Sequence, residues 1–335
     1  MTEVHITLLA EDLTGLAHAA DAAQRYPALE RVLAKGKRYR IKSKTANHLR
    51  FALFGVEPGK ALPVAAMTHV SDRKKARRGD YYWLRTDPVT LWADMARVFM
   101  TSHGFADLDP YERNEIENCI RQALLEEGID IETHHPERWC IPLKRPLKFD
   151  FTPLDEALGM DQADALPDHP ESLYWRRILN DIQVALHHCP VNVRRRQEGR
   201  QQINSVWFWG GGFIPDSSPG NLVDTVYSDH PVTRGLAIIN DCRLKALKQA
   251  SSDDLDRDGR SVLIDWIPAT RFAHEELDLL EILVRHLLTR VEAGGMVLTL
   301  LDGSGRGCVF DHVARRRFWR RTSNLSALLR RSSGT

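Results

Sequence analysis

The chain has 335 residues, with 46 lysines and arginines against 45 aspartates and glutamates, a formal net charge of +1. Hydrophobic residues make up 43% and charged residues 27%, proportions that exclude a disordered chain, a collagen-like repeat and a membrane bundle. The near-neutral balance supplies no global attraction to nucleic acid or membrane, so a polyanion could be met only by a local patch.

The first predicted element is a buried strand over Val4 to Leu9, too short for a membrane span and closed by the acidic pair Glu11-Asp12. Pro27 to Gly36 reads as a short helix, with proline in its first turn and glycine just past its end. The segment that follows is basic through Lys37, Arg38, Arg40 and Lys42, and residues 71–80 (SDRKKARRGD) show no periodicity and read as an exposed loop. Tyr81 to Leu84 is a predicted strand leading into Asp87-Pro88. A helix is expected over 110–127, capped by Asp109 and closed by Gly128, with Ile116, Ile120, Ala123 and Leu124 in its apolar stripe. Trp139 to Leu143 is a strand, and Thr152-Pro153-Leu154-Asp155 resembles a capping box.

Residues 171–188 show a strong helical period, with Trp175, Ile178, Leu179, Ile182 and Leu186 on one face. Val206 to Trp209, Leu236 to Ile239, Val262 to Ile267 and Met296 to Leu301 read as buried strands. The helix 272–292 lies between the last two. This alternation predicts an α/β fold, a mostly parallel sheet with helices on both faces. The predicted organisation is one domain over 1–305, with a candidate internal boundary near 145–170, and a basic tail or docking helix over 306–335. The five cysteines are scattered without CxxC spacing, which suits reduced thiols in the cytoplasm and argues against a cysteine-based zinc site.

Ser205-Val-Trp-Phe-Trp-Gly-Gly-Gly212 is the most distinctive segment. Ligands in open α/β sheets sit beyond the carboxyl ends of strands, where glycines let backbone N–H groups approach an anion. Gly210, Gly211 and Gly212 are therefore candidate donors. Asn204, Trp207 and Trp209 are candidate pocket walls, joined by Arg176, Arg177 and Asn180 on the polar face of the 171–188 helix and by Asp87. The competing reading makes the tryptophans core and the glycines a crowded turn. The expected ligand is a small phosphorylated or carboxylate molecule. Asp302-Gly303-Ser304-Gly305 fits neither the Walker nor the dinucleotide pattern, and no histidine falls in an HxH or HExxH arrangement.

The run SLYWRRILNDIQVALHHCPVN (172–192), followed by INSVWFWGGG (203–212), resembles the bacterial RpfE-type regulatory proteins, a phosphoglycerate-mutase-like family. LRTDPVTLWAD (84–94), PALERVLAKG (27–36) and PERWCIPL (136–143) agree with that pattern in the same order. The resemblance implies a core similar to cofactor-independent phosphoglycerate mutases and the alkaline-phosphatase fold, in which a first strand delivers an aspartate to a metal and a late strand ends Asp-His-Gly. Here the first strand runs into Glu11-Asp12 and the late strand into Asp302-Gly303-Ser304, without the histidine.

Three functional expectations follow. The leading one is a catalytically degenerate mutase-like protein with a regulatory or ligand-sensing role. The second is an active phosphoglycerate mutase using Mn²⁺ or Zn²⁺, with Asp12, Asp87 and Asp302 as metal candidates. The third is polyanion or nucleic-acid binding through the C-terminus, where residues 306–335 hold eight arginines against Asp311 alone. Its candidate patch is Arg315, Arg316, Arg317, Trp319, Arg320 and Arg321. The bland alternative is a terminal helix docked through Phe318, Leu325, Leu328 and Leu329. No membrane partner is expected.

Overall fold

A computed structural model describes residues 3–20, 23–43, 45–56, 61–74, 81–95, 97–103, 107–217, 222–250, 259–268, 272–317 and 319–333. In chain order the first leg comprises β1 (Val4–Ala10), α1 (Leu13–Ala19), α2 (Pro27–Lys35), β2 (Lys37–Arg40) and α3 (Ala46–Leu53). The middle leg holds α4 (Val64–Arg73), β3 (Tyr82–Asp94), β4 (Arg97–His103), α5 (Pro110–Glu126), β5 (Glu132–His135), β6 (Arg138–Leu143), α6 (Leu154–Ala157), α7 (Gln162–Ala165), α8 (Ser172–His188), α9 (Pro190–Gln197) and β7 (Ser205–Gly212). The last leg returns through β8 (Thr225–Tyr227), α10 (Pro231–Ile239), β9 (Arg243–Lys245), β10 (Ser261–Trp266), α11 (Ala273–Ala293), β11 (Met296–Asp302), β12 (Arg306–Phe310) and α12 (Leu325–Ser333).

Contacts divide the chain into two compact units, one formed by residues 1–57 and 216–335, the other by residues 58–215. The first and last legs therefore fold together, across a middle leg that forms its own unit. The sequence expectation of one domain over 1–305 carried no boundary at either crossing. Residues 306–310, expected to open a tail, are strand β12.

The first unit is built on a seven-stranded sheet ordered β2-β12-β11-β1-β10-β8-β9. Strands β11, β1, β10, β8 and β9 are parallel neighbours, and β12 and β2 add an antiparallel edge. Strand alternation sends Ile6 and Leu8 into one core with α1, α2, α11 and α12. Leu9 meets Leu49 of α3 and Leu301 in a second core. Helices thus cover both faces, as the α/β patterning requires.

The second unit carries an antiparallel sheet, β4-β3-β6-β5 with β7 also paired to β3. One face packs on α5 and α8 around Trp139, Trp175 and Phe208. The α5 N-terminus has its full capping box, Asp109 with Glu112. β3 runs straight through Pro88 because β6 covers Tyr82 to Arg85 and β4 covers Val89 to Asp94, leaving the proline between the two partners on that side.

Several expectations need correction. Leu236 to Ile239 is not a strand but the end of α10, which opens with Pro231 at its first position; a short apolar run does not itself distinguish a strand from a buried helix. Thr152 does not cap α6, since its hydroxyl donates to the Ala165 carbonyl at 2.6 Å instead. Ser71 to Arg73 belong to α4 rather than a loop, and residues 75–80 lie outside the described residues. β7 belongs to the antiparallel sheet, not to a parallel one.

Candidate functional site

In the first unit, register places Glu11, Ser228, Asp265 and Asp302 at the carboxyl ends of parallel strands. Leu9 stands opposite Asp265, Ala10 opposite Asp302, and Tyr227 opposite Ile264. This is the edge where open α/β sheets receive ligands. Into it projects Arg50 from α3, which is 1% exposed.

The Arg50 guanidinium donates from Nε to Asp265 Oδ2 at 3.0 Å and from Nη2 to Asp265 Oδ1 at 3.2 Å. Nη2 also reaches Glu11 Oε2 at 2.6 Å, and Nη1 reaches Asn47 Oδ1 at 3.2 Å. The fully buried Asp265 further accepts from the Thr233 hydroxyl and from Ser228 Oγ at 3.3 Å. Ser228 Oγ in turn accepts from the His230 backbone N–H at 2.9 Å, at the start of α10. Burial by itself would push the Asp265 carboxyl up. The charge and hydrogen bonds of Arg50, helped by His230 and Thr233, outweigh it and hold Asp265 below the ordinary carboxylate range. Arg50 is held above its ordinary value in the same way, its carboxylate partners overcoming desolvation.

Divalent metal binding, which the resemblance implies, can be tested on this donor set. Both Asp265 oxygens and the Glu11 Oε2 already face a cation supplied by the chain. Asp302 Oδ1 accepts from Ser304 N, Ser304 Oγ and Arg306 N within its own turn. The Asp12 carboxylate lies over Gly15, where a Cβ would come within 2.2 Å of Oδ1. Among the described residues, no group of three or more His, Cys, Asp or Glu side chains stands close enough to hold an ion. Among the described residues, this cluster does not fit a divalent metal, because the Arg50 guanidinium already engages Asp265 and Glu11 and Asp302 is held within its own turn.

The residues singled out from the sequence lie mainly in the second unit. Two of them meet: Trp209 donates its indole N–H to Asp87 Oδ2 at 2.7 Å. Arg85 holds the other oxygen from Nε at 2.9 Å and Nη2 at 2.6 Å, while also lying 5.3 Å from the Trp209 ring centroid. Gly210, Gly211 and Gly212 lie inside β7, and their neighbours explain them. A Cβ on Gly211 would fall 2.4 Å from the Tyr82 hydroxyl, and one on Gly212 would fall 2.4 Å from Pro63 Cβ. Gly210 adopts φ +64 beside Val64. Asn204 hydrogen-bonds both backbone groups of Leu91 at 2.7 Å, bridging the register shift in β3. Trp207 is buried and donates to the Thr152 carbonyl.

Arg176 donates to the Pro167 carbonyl, Arg177 forms a bidentate pair with Glu127 at 2.8 and 2.6 Å, and Asn180 is exposed. The arginines are thus engaged locally. In the C-terminal segment, Arg315, Arg317 and Arg320 donate to the backbone carbonyls of Glu292, Lys35 and Gly36. Arg316, Trp319 and Arg321 are exposed, Leu325, Leu328 and Leu329 are buried, and Phe318 lies outside the described residues.

Arg50 and Asp265 were not singled out from the sequence. A signal was present: Asp265 interrupts the apolar run Val262-Leu-Ile-Asp-Trp-Ile267, and a charge inside a buried strand demands a partner.

No protein-family model matches the chain. It is 24% identical over 204 residues to the 2,3-bisphosphoglycerate-independent phosphoglycerate mutase of Methanosarcina acetivorans, covering 58% of this chain and 50% of that protein. The Methanosarcina mazei protein of the same description is 23% identical over 204 residues, with the same coverage. A third, from Methanosarcina barkeri, is 32% identical over 68 residues, 20% of this chain and 17% of that protein. The chain's match thus spans about half the length of the Methanosarcina acetivorans and Methanosarcina mazei proteins. Among solved structures, the PH0037 protein of Pyrococcus horikoshii superposes with a TM-score of 0.57 at 12% identity, covering 98% of this chain and 93% of that one. The cofactor-independent phosphoglycerate mutase of Thermoplasma acidophilum gives 0.51 at 16% identity, covering 98% and 95%. The fold is therefore similar to that of cofactor-independent phosphoglycerate mutases, and the sequence is remotely similar to them.

Proposed function

We propose that this chain is a phosphoglycerate-mutase-like protein of the RpfE regulatory type. In this reading it binds a small phosphorylated or carboxylate ligand and does not perform metal-dependent phosphoryl transfer. One observation carries the reading: Arg50, buried at the carboxyl ends of the parallel strands, pairs with both Asp265 and Glu11. A two-metal displacement needs carboxylates and imidazoles free to clamp the attacking and leaving oxygens. With a permanent cation built into the cluster, a divalent ion entering there would meet a guanidinium within contact distance and carboxylates already satisfied.

The test is direct. Purified protein incubated with Mn²⁺ or Zn²⁺ and 3-phosphoglycerate is expected to form no 2-phosphoglycerate, and titration calorimetry with either metal is expected to show no stoichiometric site. Metal-dependent turnover abolished by Asp265→Asn would overturn the proposal and establish the active-mutase alternative.

A further inference from the structure

Two basic segments far apart in the sequence lie side by side on the edge of the seven-stranded sheet. The first is Lys37-Arg-Tyr-Arg-Ile-Lys42, whose first four residues are edge strand β2, exposed along its whole length. The second is Arg315 to Arg321, which has five arginines and no acid. Two hydrogen bonds join them: Arg317 Nη1 donates to the Lys35 carbonyl at 2.7 Å, and Arg320 Nη1 donates to the Gly36 carbonyl at 2.6 Å. Those carbonyls close α2 and directly precede Lys37.

The anchoring acceptors are neutral, so Arg317 and Arg320 are positioned without losing their charge to a carboxylate. Glu292 pairs with Arg31, Asp302 is held by Ser304 and Arg306, and Asp311 Oδ1 accepts from the Ala314 N–H at 2.7 Å. Along β2, Arg40 stands directly opposite Arg306 of β12. Such a like-charge cross-strand pair opposes folding by itself. Guarding an edge strand against another strand would account for lysines and arginines on β2. It does not account for arginines held against that edge from another part of the chain, or for two aromatic rings among them: Tyr39 is 44% exposed and Trp319 is 66% exposed.

We infer that this composite edge is a binding surface for single-stranded nucleic acid. Lys37, Arg40, Lys42, Arg316 and Arg321 meet phosphates, and Tyr39 and Trp319 offer stacking faces to bases. Cationic tracks carrying aromatic platforms bind single strands through charge and sequence-tolerant stacking. The surface is separate from the Arg50 cluster and independent of the function proposed for it.

The test uses the full chain and a fluorescein-labelled uridine oligomer roughly sixteen nucleotides long, followed by fluorescence anisotropy. Saturable binding is expected, weakening at least about tenfold between about 50 and 200 mM salt as counterion release requires. Two double variants, Arg40→Glu with Lys42→Glu and Arg316→Glu with Arg321→Glu, are each expected to weaken binding by about tenfold or more. Tyr39→Ala with Trp319→Ala is expected to weaken it while leaving the salt slope unchanged. Circular dichroism melts confirm that each variant folds, and the wild-type salt series stands as a separate readout should one fail. Absence of binding at about 50 mM salt would overturn the proposal, as would indifference to either charge reversal. Equal binding of duplex or of anionic phospholipid vesicles, with no effect of the aromatic substitutions, would overturn it too.

Discussion

Arg50 and Asp265, 215 positions apart in the chain, form a two-point ion pair in which neither side chain is more than 1% exposed. Removing one partner of such a pair leaves an uncompensated buried charge. Arg50→Met is therefore expected to destabilise the first unit by about 3–5 kcal/mol, measured by urea unfolding at neutral pH. The folded pKa of Asp265 lies below its unfolded value, so the pair's contribution is complete above the ordinary carboxylate pKa of about 4 and is lost as pH falls through the lower folded value. In Arg50→Met burial acts on Asp265 with its principal cation gone and pushes its carboxyl up, so protonation relieves the buried charge and the variant's deficit relative to the parent should shrink as pH falls. A variant as stable as the parent, with the same pH profile, would show the pair to be dispensable.

His69 should make the second unit acid-sensitive over a different range. Its ring stacks on Trp83 with centroids 3.6 Å apart, and burial, with Arg73 and His134 nearby, lowers its pKa to about 3. The unfolded chain takes up this proton near pH 6.5 and the folded one does not, so stability is complete above about 6.5 and falls toward about 3 as pH drops, by up to about 1.4 kcal/mol per pH unit. His69→Phe keeps a stacking ring without the titration. Unfolding curves between pH 7 and 5 should be flatter for the variant than for the parent.

Trp209→Phe retains the ring and deletes the N–H that Asp87 Oδ2 accepts at 2.7 Å. Asp87 is 2% exposed, so an unsatisfied carboxylate oxygen there should cost about 1–3 kcal/mol. Asp87→Ala, which removes the acceptor outright, made in both backgrounds gives the coupling energy. Additive effects would show that the indole hydrogen bond contributes nothing.

Gly211→Ala should disturb packing at β7, since the new methyl would sit 2.4 Å from the Tyr82 hydroxyl and 2.7 Å from Cε1. Overpacking of this kind costs about 1–3 kcal/mol, readable as a lower urea midpoint. Gly211→Ala in a Tyr82→Ala background should recover much of that loss. No recovery would place the strain elsewhere.

Thiol chemistry should be slow in the native state. Burial raises the Cys140 and Cys308 thiols to about 12. Cys119, desolvated and beside Cys189, is raised to about 12, and Cys242 to about 11. Since the thiolate is the nucleophile, a disulfide thiol reagent at mildly alkaline pH should label these four cysteines slowly until urea is added. Rapid stoichiometric labelling of any of them would contradict the raised thiols.

Local periodicity and end signals were enough to place α5, α8 and α11, and the apolar runs to place β1, β10 and β11, because these are properties of neighbouring residues. They also showed Trp207 to Gly212 to be unusual. They could not show that β7 pairs antiparallel to β3, so that its glycines make room for Tyr82 and Pro63. Asp87 and Trp209 emerged as separate candidates, and their hydrogen bond spans 122 positions.

Charge divides in the same way. Composition determined that the chain is near neutral overall, and its order determined that residues 306–335 carry eight arginines against one acid. Only the tertiary structure decided what those charges do. β12 pairs with β2, and Arg317 and Arg320 bind the carbonyls that close α2, bringing a second basic segment from residues 37–42 to the same edge. Likewise only the fold brought Arg50 to Asp265. Charge is additive along a chain, but a field and a partner depend on distance, which the folded backbone alone sets.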